Sequence, residues 1–190
     1  MPKYSFVIPV RNWWNYIKLA IDSILSQTYK DFELIILYNK SSDDTLEIIK
    51  TYNDDRIKIV ETEKDLSITE NWWRILDLEL WEYLTISWHD DVFYSDFLKE
   101  IDSLIFQYPE ATLYQTHFNL IDKDWNLIRK CHKINKIETA LDFAVNRAHN
   151  KRDSYGTWYV MKSNLYKQIW WIPQFESLFY ADDALWVTLS

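Results

Sequence analysis

The feature that most constrains the fold is a regular alternation of apolar strands and amphipathic helices along the first half of the chain. Strands are predicted at residues 4–10, 32–38, 57–60 and 83–87, with helices at 15–27, 45–52 and 69–80 between them. Short apolar runs separated by segments of helical periodicity are typical of α/β proteins. We therefore predict an α/β fold with a mostly parallel central sheet, right-handed crossovers and flanking helices.

The second half of the chain is less regular. A further helix carries Leu98, Ile101 and Leu104, and strands are predicted at residues 111–118 and 126–131, joined by a turn at 122–125. We predict later helices near residues 139–147, 164–169 and 182–189, a short strand at 159–161, and a solvated, mobile loop at 149–154. The 190 residues suit one domain with a sizeable core.

Glycine is almost absent from this sequence. The chain has 1 Gly and 11 Trp, whereas average usage predicts roughly 13 glycines in a chain of this length. Turns that need a positive φ normally use Gly, so we expect some turns to be strained or built with Asn and Asp.

Charge and cysteine content exclude several classes of function. The net charge of −8 argues against a nucleic-acid partner. The amino terminus enters a strand almost at once, so no signal peptide is predicted, and no apolar run approaches membrane-spanning length. The single Cys131 rules out an internal disulfide and fits a reducing, cytoplasmic location.

Two adjacent carboxylates, Asp90 and Asp91, follow the predicted strand at 83–87. The carboxyl ends of strands are where open α/β sheets place their ligand crevice. Two negative charges there are costly unless a cation or polar substrate offsets them, and a hard divalent ion holding a diphosphate is the usual chemical reason. The alternative is a turn in which one of the two caps the next helix. His89 beside them is a candidate ligand or hydrogen-bond partner of a phosphate, and the alternative is a polar turn residue.

Six short strings in the expected order resemble glycosyltransferase family 2, the inverting nucleotide-sugar enzymes with the GT-A fold. They lie at residues 6–12, 23–29, 32–36, 41–45, 81–91 and 181–186. The resemblance implies a single Rossmann-like GT-A domain over residues 1–190, with a nucleotide-sugar half (1–98) and an acceptor half (99–190). Family members often continue further, so truncation at the carboxyl terminus is part of this expectation. A G-x-G-x-x-G or Walker A string is absent, which argues against other nucleotide enzymes.

The resemblance also implies a reaction: transfer of a sugar from a nucleotide donor, expected to be a UDP-sugar, to a hydroxyl of a glycan or lipid-linked acceptor. Asp90 and Asp91 would hold Mg²⁺ or Mn²⁺. Asp182 matches the family's catalytic base in one alignment and Asp183 in another, and both alternatives stay open. Such an enzyme is compatible with peripheral contact at the inner face of the membrane.

The same resemblance assigns a donor pocket at the ends of the first two strands. Pro9, Val10 and Asn12 match positions that line the base pocket, and Asn39 stands where the family usually has an Asp. Arg74 is a candidate for the diphosphate, and the alternative is a solvated helix face.

Several tryptophans depart from the family pattern. Trp81, Trp125, Trp170 and Trp171 fall where family members commonly have Gly, which suggests that Trp has replaced Gly at these positions. Trp88 replaces the first Asp of the acidic motif and is expected beside the metal and the donor sugar. The alternative function is therefore a weak or inactive nucleotide-sugar-binding domain of the same fold.

Overall fold

The computed structural model describes residues 2–155 and 158–168. Its centre is a six-stranded sheet with the order β3-β2-β1-β4-β8-β5, and β6 and β7 form a separate two-stranded sheet. The strands are β1 (Tyr4–Val10), β2 (Phe32–Tyr38), β3 (Ile57–Val60), β4 (Tyr83–Ile86), β5 (Leu113–Gln115), β6 (Asn119–Ile121), β7 (Leu127–Lys130) and β8 (Tyr159–Lys162). The first four strands are parallel, while β8 is antiparallel to both of its neighbours. The predicted α/β class with a mostly parallel sheet is confirmed.

Helices cover both faces of the central sheet. They are α1 (Trp14–Leu25), α2 (Thr45–Lys50), α3 (Ile68–Trp73), α4 (Phe97–Gln107), α5 (Ala140–Ala148) and α6 (Ser163–Gln168). Alternate residues of β1 enter different cores: Phe6 and Ile8 pack with α1 and α4, and Val7 packs with α3, α5 and α6. The period-2 alternation of a strand produces these two cores, and it explains why β1 and β2 are largely apolar. Their two polar residues form a buried hydrogen bond, in which Ser5 Oγ donates to Glu33 Oε1 at 2.7 Å.

The predicted helix at 69–80 is wrong in its second half. A capping box between Ser67 and Glu70 starts α3, but the α-helix ends at Trp73 and a 3-10 helix (Arg74–Asp77) follows before Leu78 becomes extended. Arg74 donates hydrogen bonds to backbone carbonyls at the ends of β2 and β3. These hydrogen bonds fix the backbone at the point where the α-helix becomes a 3-10 helix. The bonds are tertiary contacts, so the helical periodicity of the sequence does not predict them.

The predicted strand at 111–118 is also wrong in extent. Only Leu113–Gln115 joins the central sheet, and the partner of β7 is the separate strand Asn119–Ile121. The predicted turn is confirmed, because Asp122 Oδ1 accepts hydrogen bonds from the backbone N–H groups of Asp124 and Asn126.

The polar stretch 149–154 is not a solvated loop throughout. Arg152, Asp153 and Ser154 are only 5%, 7% and 9% exposed. Asp153 pairs with Arg129 at 2.6 Å, and Arg152 pairs with Glu138 at 2.9 Å. Partners from distant parts of the chain satisfy these charges, which is what allows polar residues to be buried.

The expectation of turns built without Gly is confirmed. Among the described residues, Asn12, Asn150, Trp125 and Trp158 have φ values of 58°, 54°, 67° and 65°. Asn tolerates this left-handed region, whereas a bulky residue there costs roughly 1–2 kcal/mol. Of the four tryptophans assigned to Gly positions, only Trp125 shows this geometry in the described part of the chain, and Trp170 and Trp171 lie outside it.

Candidate functional site

The carboxyl ends of three parallel strands meet at one edge of the sheet. Val10 of β1 pairs in register with Tyr38 of β2, and Val7 pairs with Ile86 of β4. The residues that follow these strands therefore gather at that edge, among them Asn12, Asn39 and Asp90. This is the position at which α/β sheets bind ligands.

Asn12 connects the loops that follow β1 and β2. Its Oδ1 accepts a hydrogen bond of 2.7 Å from Ser42 N, and its own N donates to Ser41 Oγ at 3.0 Å. Asn39 N also donates to Val10 O at 3.0 Å. The positive φ of Asn12 turns the chain into this contact, and the two loops are fixed as one surface beside Pro9 and Val10.

Asn39 is buried, with 2% exposure, and its side-chain amide forms two hydrogen bonds with the backbone of one residue. Nδ2 donates to Leu66 O at 2.8 Å, and Oδ1 accepts from Leu66 N at 3.2 Å. Sequence reasoning missed this contact, since Leu66 takes part through its backbone and leaves no residue-type signal. A base contact by Asn39 would have to share or replace these bonds.

Asp90 and Asp91 follow β4 at the same edge. Asp90 is exposed and Asp91 is half-buried. Carboxylate oxygens are hard ligands that suit Mg²⁺ or Mn²⁺, and both ions commonly complete their coordination with phosphate oxygens and water. The two residues therefore fit such an ion by donor type, although no group of three or more potential metal ligands occurs within residues 2–155 and 158–168.

His89 lies in a turn, as one of its two interpretations has it, but its side chain is buried, with 6% exposure. Its ring lies against the Trp13 indole with a centroid distance of 4.0 Å. Burial lowers the pKa of His89 below its ordinary value, while the Asp90 charge and a hydrogen bond with the Pro9 backbone act in the opposite direction. The His89 ring connects the start of α1 with the turn that carries Asp90 and Asp91, which we call the acidic turn.

Trp88 has a packing role. It is half-buried, and its indole contacts that of Trp72 with a centroid distance of 5.2 Å. Both belong to the core beneath α3, α5 and α6. The hydrophobic effect favours this packing over exposure beside two carboxylates.

Arg74 is half-buried and directs its guanidinium at the ends of two strands. Nη1 donates to Tyr38 O at 3.0 Å and to Asn71 Oδ1 at 2.8 Å, and Nη2 donates to Val60 O at 2.6 Å. Burial lowers its pKa from the usual value. The interpretation of Arg74 as a solvated helix residue is wrong, and a diphosphate contact would require some of these bonds to be exchanged.

Two cavities lie beyond the acidic turn. The first, of about 370 Å³, is lined by Val92, which follows Asp91, and by Tyr94, Asn119 and Trp158. The second, of about 500 Å³, shares Tyr94 and Asn119 and adds Lys130 and Lys133. Because β5 ends and β8 begins at the same sheet edge as Asp90, these cavities adjoin the candidate site. Asp182 and Asp183 lie outside the described residues.

The sequence profile named "Glycosyl transferase family 2" matches residues 5–170. The chain belongs to this family. A GalNAc(5)-diNAcBac-PP-undecaprenol β-1,3-glucosyltransferase of Campylobacter jejuni is 42% identical over 60 residues, which is 30% of this chain and 19% of that protein. The chain spans about a fifth of the length of the curated relatives it matches first.

Solved structures confirm the GT-A fold. TarS of S. aureus in complex with UDP-GlcNAc superimposes with a TM-score of 0.76 and 18% identity, covering 96% of this chain and 52% of TarS. The mannosyltransferase PcManGT of Pyrobaculum calidifontis, in complex with GDP-Man and Mn²⁺, gives a TM-score of 0.63 and 18% identity, covering 96% of this chain and 50% of PcManGT. At this identity the likeness concerns the fold alone. Among the described residues, no helix combines the length and the apolar character required to cross a bilayer.

Proposed function

We propose that this family 2 glycosyltransferase moves a sugar from a UDP-sugar to a hydroxyl of a glycan or lipid-linked acceptor, with inversion at the anomeric carbon. The observation that carries the proposal is the gathering of Asn12, Asn39 and Asp90 at one sheet edge. TarS in complex with UDP-GlcNAc and the undecaprenol-linked glucosyltransferase support the donor and acceptor classes.

The donor half, residues 1–98, would bind the nucleotide. Pro9, Val10, Asn12 and Asn39 are proposed to line the base pocket, where the bonds between the β1 and β2 loops give it a fixed shape. Arg74 is proposed as a diphosphate ligand, provided that it exchanges part of its bonding to the backbone. A preformed surface of this kind lowers the entropy lost on donor binding.

Asp90 and Asp91 would hold Mg²⁺ or Mn²⁺ against the diphosphate. A bound divalent ion supplies Lewis-acid neutralisation of the charge on the departing nucleoside diphosphate. Because Asp90 is exposed beside the buried His89, its carboxylate is accessible while its backbone is anchored.

The acceptor half, residues 99–190, would supply the base. The carboxylate of Asp182 or Asp183 accepts the proton of the acceptor hydroxyl as its oxygen attacks the anomeric carbon. Attack from the face opposite the leaving group inverts that carbon. The two cavities that contain Tyr94 and Asn119 are proposed to receive the acceptor in a cytoplasmic enzyme.

Calorimetric titration of UDP with and without Mn²⁺ tests the donor site. We expect Mn²⁺ to tighten UDP binding at least tenfold, and Asp90→Asn to abolish the difference. Asp55→Asn removes the same charge from an exposed residue before β3, at the opposite sheet edge, and should leave the difference intact. Equal binding of UDP by Asp90→Asn and the parent in Mn²⁺ would remove the metal role.

Turnover tests the base and the stereochemistry. With UDP-sugars and a set of glycan and lipid-linked acceptors, one of Asp182→Asn and Asp183→Asn should lose turnover sharply while both retain UDP affinity. NMR of the product should show inverted anomeric configuration. Full turnover by both variants would contradict the assignment of the base.

The second candidate is a nucleotide-sugar-binding domain with little or no turnover. It is favoured by the engagement of the Asn39 amide with Leu66 and by Trp88 in place of a carboxylate. UDP binding without metal dependence, and without transfer to any acceptor, would support it.

A further inference from the structure

The cavity that contains Lys130 and Lys133 is suited to an anion. We propose that the acceptor of the sugar carries a phosphate group, and that this group binds here while the acceptor sugar occupies the adjoining cavity. The inference rests on the proposed function, because it names the acceptor class of that same site. We call the cavity the phosphate pocket and define it by Tyr94, His117, Lys130 and Lys133.

The two adjoining cavities differ in charge. Among the described residues, the phosphate pocket is lined by two lysines and by no Asp or Glu. The adjoining cavity is lined by the exposed carboxylates of Asp96 and Glu100, and no Lys or Arg of the described ranges lines it. The lysines attract a phosphate and the carboxylates repel it. Electrostatics therefore favours phosphate in the first cavity and a neutral sugar in the second.

The two lysines are available to a ligand. Lys130 and Lys133 are exposed, and neither forms an ion pair with a carboxylate in the part of the chain that the structure describes. Asp153, the carboxylate that binds this segment, is engaged by Arg129 at 2.6 Å and by the backbone N–H of His132 at 2.6 Å. Asp153 thus fixes the segment without neutralising the lysines, and Lys is a common phosphate ligand in proteins.

The pairing of β6 with β7 directs Lys130 into the pocket. Lys130 lies directly opposite Asn119 in this antiparallel pair, and side chains of directly opposed residues project from the same face. Asn119 Nδ2 donates a hydrogen bond to Tyr94 Oη at 2.9 Å. The face that carries Asn119 and Lys130 is therefore the one that meets Tyr94, at the wall of the pocket.

Two further donors line the pocket. Tyr94 Oη accepts the hydrogen bond from Asn119, and no described residue accepts the hydroxyl proton of Tyr94. His117 Nε2 accepts from Ile134 N at 3.2 Å, so the neutral ring carries its proton on Nδ1. No acceptor for this Nδ1–H occurs within residues 2–155 and 158–168. Two ammonium groups, a hydroxyl and an imidazole N–H thus match a group whose oxygens accept hydrogen bonds.

The position of the pocket would orient the acceptor. The two cavities share Tyr94 and Asn119, and the adjoining cavity is also lined by Val92, which follows Asp91 of the acidic turn. A phosphate held by the lysines would place the attached sugar in the adjoining cavity, beside that turn. Holding an acceptor hydroxyl near the donor in this way lowers the entropic part of the reaction barrier.

Calorimetric titration of the full chain at low ionic strength tests the pocket. Saturating UDP and Mn²⁺ occupy the donor site, and the probes are glucose 1-phosphate, glucuronic acid and methyl glucoside. We expect glucose 1-phosphate to bind more tightly than either other probe by about tenfold or more, with the preference reduced by added salt. Displacement of UDP by glucose 1-phosphate would place the phosphate in the donor site and overturn the proposal.

Charge variants assign the binding to the two lysines. Lys130→Gln/Lys133→Gln should weaken binding of glucose 1-phosphate by about tenfold or more and leave UDP affinity within about twofold. Lys130→Arg/Lys133→Arg keeps both charges and should retain binding. Lys30→Gln/Lys99→Gln removes two charges from exposed residues outside both cavities and should have little effect. Equal weakening by this control would overturn the proposal.

Transfer assays identify the source of the phosphate. A prenyl-diphosphate-linked sugar and a glycan with phosphodiester links are each compared with a glycan that lacks phosphate. A higher kcat/KM for either phosphate-bearing acceptor, reduced in Lys130→Gln/Lys133→Gln, would support the proposal and show which source is used. A preference for the glycan without phosphate would contradict it.

Failure of this inference is distinguishable from failure of the proposed function. If the parent binds UDP in a metal-dependent way but binds no glucose 1-phosphate, or binds glucuronic acid equally well, the phosphate pocket is wrong and the donor site stands. If glucose 1-phosphate binds through the two lysines and UDP binding needs no metal, the donor-site metal is wrong and the phosphate pocket stands.

Discussion

The side-chain amide of Asn39 pairs with both backbone groups of Leu66: Nδ2 donates to the carbonyl at 2.8 Å and Oδ1 accepts from the N–H at 3.2 Å. This pairing joins the end of β2 to the loop before α3, and Asn39 is buried whereas Leu66 is half-buried. It also involves both side-chain atoms through which a residue at this place would contact a nucleotide base. The candidate donor pocket and the stability of the fold therefore depend on the same side chain.

Asn39→Asp tests this pairing. The new carboxylate would face the Leu66 carbonyl with no donor, so we expect the free energy of unfolding to fall by about 1–3 kcal/mol at neutral pH. Urea denaturation gives this value. Asn135→Asp makes the same charge change at an exposed residue and should have little effect. Equal stability of the two variants would show that the Leu66 pairing contributes nothing.

Arg74→Lys separates a structural role from a donor-binding role. Lysine retains the charge but cannot reach the Tyr38 and Val60 carbonyls and Asn71 together. We expect a loss of about 1–3 kcal/mol in the free energy of unfolding and, because Arg74 is proposed to contact the diphosphate, UDP binding weakened by more than about threefold, which is roughly 0.7 kcal/mol. Lower stability with unchanged UDP affinity in the folded variant would show that Arg74 is structural only and would contradict the proposed diphosphate contact.

Trp125→Gly is expected to stabilise the protein. Trp125 has a φ of 67° and is 52% exposed, so Gly relieves backbone strain and gives up little burial. The free energy of unfolding should rise by roughly 1 kcal/mol. Trp14→Gly, at the helical and similarly exposed first residue of α1, should instead lower stability.

Trp158→Gly provides a contrast to Trp125→Gly. Trp158 has a φ of 65°, but its ring stacks on Phe118 with a centroid distance of 4.5 Å. Loss of the stacking and packing should offset the relief of strain, so Trp158→Gly is expected to stabilise less than Trp125→Gly. A larger gain at position 158 than at 125 would contradict this account.

The Asp153 ion pair predicts a pH dependence of stability. The hydrogen bonds from Arg129 lower the pKa of Asp153 to about 2, with His132 contributing in the same direction. In the unfolded chain the Asp153 carboxyl has its ordinary, higher pKa and therefore binds a proton more tightly than in the folded protein. The ionised carboxylate stabilises the fold above about pH 4, and that contribution is lost as the pH falls towards 2.

Urea denaturation at several pH values measures this effect. Asp153→Asn should be less stable than the parent at pH 7, and the difference should shrink between about pH 4 and pH 2. In an Arg129→Gln background the difference should be smaller at pH 7 and should vary less with pH. A difference that stays constant down to pH 2 would contradict the role of this pair.

Local sequence patterns predicted the central sheet well and the second half less well. β1 and β2 are apolar apart from Ser5 and Glu33 because both of their faces are buried, and their predicted bounds agree with the structure. The predicted helix at 69–80 agrees with the start of α3 at Ile68 to within one residue, but its early end depends on the bonds of Arg74 to distant carbonyls. Residues 111–121 divide between two sheets, and for β5 that division is decided by its pairing partners in β8, such as Tyr159 opposite Gln115. These partners lie more than 40 residues away in the sequence.

The sequence by itself determined the fold class, the family and the placement of Asp90 after a buried strand, because apolar periodicity and short motifs are local properties. Tertiary structure alone decided that Arg152 and Asp153 are buried, that Asn39 is engaged by Leu66, and that Leu141 and Val145 remain uncovered. The burial of a charge or the exposure of an aliphatic side chain depends on which distant groups are brought within hydrogen-bonding or packing distance. No local pattern encodes those distances.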